Sequence, residues 1–353
     1  MQSQKSGIIL LNKKPGLTSF EALGEVKRAL GTGKVGHAGT LDKFAQGLLV
    51  VLTGRALRLT PYFSHCDKQY RGRIRFGAET DTLDPEGSVI AEAQPPSRES
   101  VEQVIKTFKG KIMQKPPVFS AIHINGQRAS KLARSGEAPE MKEREVTIYS
   151  IELEEWEPPF ADIFVHCSSG TYIRSLARDI ALAAESRGFL CSLTRTQVAG
   201  FMLKDAVDGE RGLGDREWGV GNREQGDGNI ERRARRGEGT ESGERGTGSN
   251  SSLCPSLLPT PYSPLPTPYS PLPITKTVIA ALGLPRYEVT PDEAQNIFHG
   301  KPLAPILEEK KLFSREALST HNAADFSAAV FDGEKLAAVV EKSGGKWKYG
   351  CVL

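Results

Sequence analysis

Gln69–Ala78 reads QYRGRIRFGA. Tyr70, Gly72, Ile74, Phe76 and Ala78 fall on one side of this stretch, and Arg71, Arg73 and Arg75 on the other. That two-residue period marks a strand with one buried and one solvated face. Val146–Leu153, Asp162–Cys167 and the apolar run Leu48–Leu52 read as further strands. Helical periodicity appears three times. In Ser19–Leu30, Phe20, Leu23, Val26 and Leu30 share a face, Thr18 and Glu21 form a capping box, and Gly31 ends the helix. Ser100–Phe108 repeats the logic with Val101, Val104, Ile105 and Phe108. Ile173–Ala184 does so with Ile173, Leu176, Ala177, Ile180, Ala181 and Ala184. The order lacks the regular βαβ alternation of a doubly wound sheet, so the expected class is α+β, with helices flanking a mixed, largely antiparallel sheet.

Composition narrows the function classes. No run among the 353 residues approaches the roughly 20 apolar residues of a membrane-spanning helix. Met1–Ser6 is polar and leads straight into Gly7–Leu11, so no signal peptide is expected. Five scattered cysteines form no Cys-x-x-Cys pair, which points to a reducing cytoplasmic setting rather than a disulfide scaffold. Residues 1–207 hold 28 Lys and Arg against 23 Asp and Glu, so the positive excess lies in this part. A polyanionic partner is compatible with that excess but is not required by it.

Residues 208–273 stand apart. Up to Ser252 they are rich in Gly, Glu and Arg, and Thr260–Pro266 (TPYSPLP) then recurs at once as Thr267–Pro273. Such prolines block helix and central strand, so this segment is expected to be a disordered or extended insertion. Beyond it, Thr290-Pro291-Asp292-Glu293 signals a helix start, and Ala328–Phe331 and Leu336–Glu341 flank a hairpin turn at Asp332-Gly333-Glu334. Residues 285–353 read as a small β-rich module, reached through a short return at 274–284.

The densest cluster of unusual residues is Gly31–Asp42, GTGKVGHAGTLD. Its formal G-x-G-x-x-G follows a helix and precedes a loop, the reverse of a dinucleotide site. A P-loop fails too, because Arg28 and Val35 stand where Gly and Ser or Thr are needed. Gly36, Gly39 and Gly47 instead allow sharp turns or close approach around His37 and Asp42. That places a carboxylate at the mouth of the buried strand Leu48–Leu52.

Three more segments interlock with this one: Lys13–Ser19 (KKPGLTS), Asp67–Arg71 (DKQYR) and Gly170–Arg174 (GTYIR). Together with Gly36–Asp42 they resemble the signature blocks of the bacterial tRNA pseudouridine synthase B (TruB) family, in order and at similar separations. Thr80–Gly87 (TDTLDPEG), Pro116–Ile122 and Leu193-Thr194-Arg195 add to the match. The resemblance implies a pseudouridine-synthase catalytic domain over 1–207 and a PUA-like carboxy-terminal domain. The implied reaction is isomerisation of the T-loop uridine (position 55) of tRNA, after the base has been flipped out, without metal or organic cofactor. It makes Asp42 the nucleophile or base and Arg174 the cation that keeps Asp42 ionised. Tyr70 would pack on the target base, Tyr172 and Leu193 would line the same pocket, and His37 would help hold the flipped RNA. Arg128 and Lys131, with Arg134, would grip RNA phosphates from a thumb at about 121–144, and Arg58 joins the substrate-binding set. The implied partner is the tRNA T-arm, met by a monomer with no protein partner and no membrane. Two rivals share these residues. Retention of Asp42, Tyr70, Tyr172 and Arg174 disfavours a non-catalytic tRNA chaperone, and a glycosidase-like hydrolase would need a second carboxylate across the bond.

Overall fold

The computed structural model describes residues 6–124, 126–137, 139–208, 269, 271–307 and 326–353. The chain opens with β1 (Gly7–Lys13) and turns into α1 (Ser19–Leu30), followed by β2 (Val35–His37) and β3 (Gln46–Thr53). A 3₁₀ turn over Gly54–Leu59 and the short α2 (Thr60–Ser64) lead to β4 (Lys68–Phe76), β5 (Ala78–Thr80) and β6 (Val89–Glu92). Next come α3 (Arg98–Thr107), β7 (Gly110–Gln114), β8 (His123–Ile124), β9 (Gln127–Arg128) and α4 (Ala129–Arg134). The long β10 (Arg144–Glu157), β11 (Phe160–Cys167), α5 (Ile173–Ala183), β12 (Gly188–Val198) and β13 (Phe201–Met202) complete this part.

These strands build one sheet in the order β1-β3-β12-β4-β11-β10-β7, with β2 on β3 and β13 on β12. Every pair in it is antiparallel except β3 with β12. The alternation in β4 holds: Tyr70, Ile74 and Phe76 are buried against Leu176, Ile180 and Leu190, beneath α3 and α5. Of the outward arginines, Arg71 pairs with Glu154 on β10 and Arg73 with Asp162 on β11 (3.0 and 2.6 Å), while Arg75 lies over the Phe189 ring. That face is a ladder of cross-strand ion pairs.

Helix α1 has the bounds, the capping box and the left-handed Gly31 that its sequence predicts. Its buried face differs. Ser19, Ala22, Leu23 and Val26 point inward, whereas Phe20 is 70% exposed with Lys27 Nζ 4.3 Å from its ring centre. One residue is about 100° of helix rotation, enough to carry Phe20 off the Ser19 face.

At the parallel seam Gly47 faces Arg195. Gly47 has φ +105°, and a Cβ there would lie inside contact distance of the Arg195 carbonyl. Gly47→Ala should therefore destabilise the fold by about 1–3 kcal/mol from backbone strain alone, with the clash in addition. Urea melts of the two proteins check this.

After the insertion come α6 (Lys276–Ala281), β14 (Arg286–Val289), α7 (Pro291–Phe298), α8 (Ala304–Leu307), β15 (Phe326–Asp332), β16 (Lys335–Ser343) and β17 (Lys346–Val352). The last three strands and β14 form a second sheet, β14-β15-β16-β17, around Tyr287, Ile297, Leu307, Val330 and Val340. The Thr290 capping box and the Asp332–Glu334 hairpin turn are as predicted. Tyr62 Oη donates to Glu341 Oε1 at 3.0 Å, joining α2 to β16.

The expected insertion ends earlier than its sequence suggests. Leu272 exchanges two backbone hydrogen bonds with Ile8 (2.9 and 2.7 Å), and Tyr269 is buried against α1. A proline-rich strand tolerates an edge position, because Leu272 keeps its own N–H between two prolines. Residues 209–268 lie outside the described residues.

Candidate active site

Asp42 sits in the loop between β2 and β3, and its side chain is 36% exposed. Arg174, in the first turn of α5, is almost fully buried beneath it. Nη2 of Arg174 donates to Asp42 Oδ1 at 3.2 Å, and Nε lies 2.9 Å from Oδ2 as an ion-pair contact without hydrogen-bond alignment. The same guanidinium donates through Nη1 to Asp84 Oδ2 (3.1 Å) and Thr82 C=O (2.7 Å), and through Nη2 to Phe119 C=O (2.9 Å). Its planar fork is thereby locked by four residues, a task a lysine could not perform.

Asp84 is the partner the sequence reading missed. It lies in the quoted turn TDTLDPEG, where Thr82 Oγ1 and the Glu86 N–H both donate to its Oδ1 (2.6 and 3.0 Å). Its other oxygen takes Arg174, so Asp84 is committed to bonding and is not a free base across from Asp42. The glycosidase-like rival gains a second carboxylate but not a free one. Residues 90 apart in sequence make this pair, and no local pattern encodes it.

Two buried cations were also assigned no role. Lys13 Nζ donates to the carbonyls of Lys14, Leu17 and Lys43 (3.0, 2.6 and 3.4 Å). Burial pushes its pKa down to about 8, with Asp42 pulling upward and Arg195 reinforcing burial. Arg195 is 1% exposed and donates to the carbonyls of Leu48 (2.8 Å), Gly39 (3.2 Å) and Thr40 (3.3 Å). It braces the glycine loop from below.

Tyr70 is buried on β4 in the cluster that also holds Leu41 and Leu193, and burial raises its hydroxyl pKa to about 12. Tyr172 caps α5, with its backbone N–H and C=O both held by the Gln114 side chain (2.8 and 3.1 Å) and Arg144 over its ring. His37 lies on β2 with Nδ1 buried and unpartnered, and burial together with Arg195 lowers its pKa. Arg128 and Lys131 are exposed, Arg128 as the residue that caps α4 and Lys131 within it. Arg58 donates to the Val352 carbonyl, which directs it to the carboxy-terminal sheet and not to Asp42. A hollow of about 500 Å³ lies on the opposite, arginine-bearing face of the sheet, among Arg71, Glu154, Asp162 and Thr194. Among the described residues no group of His, Cys, Asp and Glu could hold a metal ion.

A family described as "TruB family pseudouridylate synthase (N terminal domain)" matches residues 27–173. A tRNA pseudouridine synthase B of Borreliella burgdorferi (strain ZS7) is 45% identical over 205 residues, covering 57% of this chain and 73% of that protein. The chain belongs to the TruB family. The enzyme of the same name from Treponema denticola is 47% identical over 226 residues, covering 58% of this chain and 63% of that one. Among solved structures, a chain of a Cbf5-Nop10-Gar1 complex aligns with TM-score 0.61 at 19% identity, over 99% of this chain and 85% of that chain. The fold is thus that of the pseudouridine synthases, and the β14-β15-β16-β17 sheet is consistent with a PUA-like module. Within the TruB match, His37, Asp42, Tyr70 and Tyr172 lie inside residues 27–173, and Arg174 follows immediately after.

Burial raises the Asp42 pKa, Arg174 opposes this, and the like charge of Asp84 adds to the rise. If the TruB reaction uses ionised Asp42, turnover falls on acidification with a midpoint above the ordinary carboxylate value of about 3.9. Asp84→Asn, which removes the like charge, should move that midpoint down. Profiles of kcat/KM between about pH 4 and pH 8 check both statements.

Proposed function

We infer that this protein is a tRNA pseudouridine synthase acting on the T-loop uridine, with Asp42 as the reacting carboxylate. The observation carrying this reading is the partly exposed Asp42 gripped by the buried Arg174, in a chain of the TruB family whose Tyr70 packs in the same cluster as the adjacent Leu41. An enzyme that works on a base inside folded RNA must extrude it and offer a new stacking surface. Tyr70 and Tyr172 supply aromatic faces, and Leu193 packs in the same cluster as Tyr70. The flipped nucleoside then meets Asp42, whose anion supports breakage of the N1–C1′ bond. The detached uracil rotates and bonds through C5 to C1′; the C5 proton leaves to solvent and N1 gains one. The reaction is an isomerisation in which atoms and charge balance within the nucleoside. Exposed Arg128 and Lys131 near α4 are suited to tRNA phosphates, with salt-dependent affinity.

The test is tritium release from tRNA labelled at uridine C5. Release accompanied by pseudouridine supports the reading. Binding of tRNA without release would instead favour the chaperone.

A further inference from the structure

Asp42 is the middle residue of a segment held on both sides. Ser19, at the start of α1, is 3% exposed and uses its hydroxyl twice on Leu41. The Leu41 N–H donates to Ser19 Oγ at 2.8 Å, and Ser19 Oγ–H donates to the Leu41 C=O at 3.0 Å. One side chain thus satisfies both polar groups of the residue preceding Asp42, as a neighbouring strand would. On the far side the Lys43 C=O accepts from Gly16 N–H (2.8 Å) and from Lys13 Nζ (3.4 Å). Ser19 is itself fixed, because the Thr18–Glu21 capping box sets the first turn of α1. The loop between β2 and β3 has no regular structure around Asp42, so this bracket replaces a strand or helix as its support.

We propose that Ser19 is a positioning residue for Asp42, setting the backbone from which the carboxylate reaches Arg174 and the flipped nucleoside. It lies outside residues 27–173, and it touches Leu41 rather than the reacting carboxylate. A group anchored by two bonds to one neighbour defines the direction of the next side chain, and misplacement by about 1 Å can cost about a hundredfold in rate. The inference rests on Asp42 being the reacting group, so its test carries one readout that does not need turnover.

Ser19→Ala is compared with Ser186→Ala, which removes a similarly buried hydroxyl bonded to the Gln94 carbonyl, away from Asp42. Both variants should lose thermal stability to a similar degree. Only Ser19→Ala should lower kcat, by at least about tenfold, with KM for tRNA within about twofold of the parent. Hydrogen exchange at the Leu41 amide should quicken at least about tenfold in Ser19→Ala and stay unchanged in Ser186→Ala. Unchanged Leu41 exchange overturns the clamp whether or not the parent is active. Quickened exchange with kcat within twofold of the parent overturns the positioning role. A parent that binds tRNA but releases no tritium overturns the functional reading and the role built on it, leaving the clamp to be judged by exchange alone.

Discussion

Asp42→Asn should abolish turnover while leaving the protein folded and able to bind tRNA. The amide keeps the shape of the carboxyl and can still accept from Arg174 Nη2, now 3.2 Å from Oδ1. What it lacks is the negative charge and the nucleophilic oxygen. Loss of a reacting group of this kind costs on the order of 10⁴-fold or more in kcat. Affinity should stay within a few fold, because most of it comes from phosphate contacts elsewhere. Stability should hold or rise. Burial raises the Asp42 pKa, so its favourable contribution is present below the ordinary carboxylate range and is lost as pH rises through the raised value. At neutral pH the ionised form is a cost to the fold, which the amide removes. Tritium release, tRNA titration and a urea melt on the same preparation separate the three outcomes. Persistent turnover in Asp42→Asn would move the chemistry to another residue.

Arg174→Met should damage both activity and stability. Arg174 and Asp84 are almost completely buried, and the guanidinium joins Asp84, Asp42 and two backbone carbonyls. Removing it leaves the Asp84 carboxylate buried without its cation. Breaking a buried pair from one side typically costs about 3–5 kcal/mol. Activity should fall by at least about a hundredfold, because Asp42 loses the fork that orients it. Should Arg174→Met fail to fold, Arg174→Lys keeps the charge but not the geometry. It should stay folded and still lose most activity, since one ammonium cannot reach four acceptors in the plane of the fork. A lysine variant with near-parental turnover would show that charge alone suffices.

Local signals were legible in the sequence. The capping boxes at Thr18 and Thr290 and the hairpin at Asp332–Glu334 need only neighbours a few residues away, and each stands where the pattern puts it. Periodicity placed the strands but was weaker on direction. Phe20 matched a helical face by count, yet the face that meets the core is set by Ser19, Ala22 and Val26. The glycines around Asp42 mark it locally, but its role and its pairing with Arg174 came from resemblance to a family, and the two lie 132 residues apart. The supporting groups were invisible for the same reason. Asp84 reads as a turn aspartate, Ser19 as a helix-start serine, Lys13 as a surface lysine and Arg195 as one more strand arginine. Only tertiary contact shows that two of them bury a cation against backbone carbonyls, and that a third clamps the residue before Asp42.

The most direct measurement is to map pseudouridine, position by position, in an unmodified tRNA transcript treated with the parent protein and with Asp42→Asn. A single new pseudouridine in the T loop, formed by the parent and absent with the variant, is the predicted result. No pseudouridine with the parent, or the same yield from both, would contradict it.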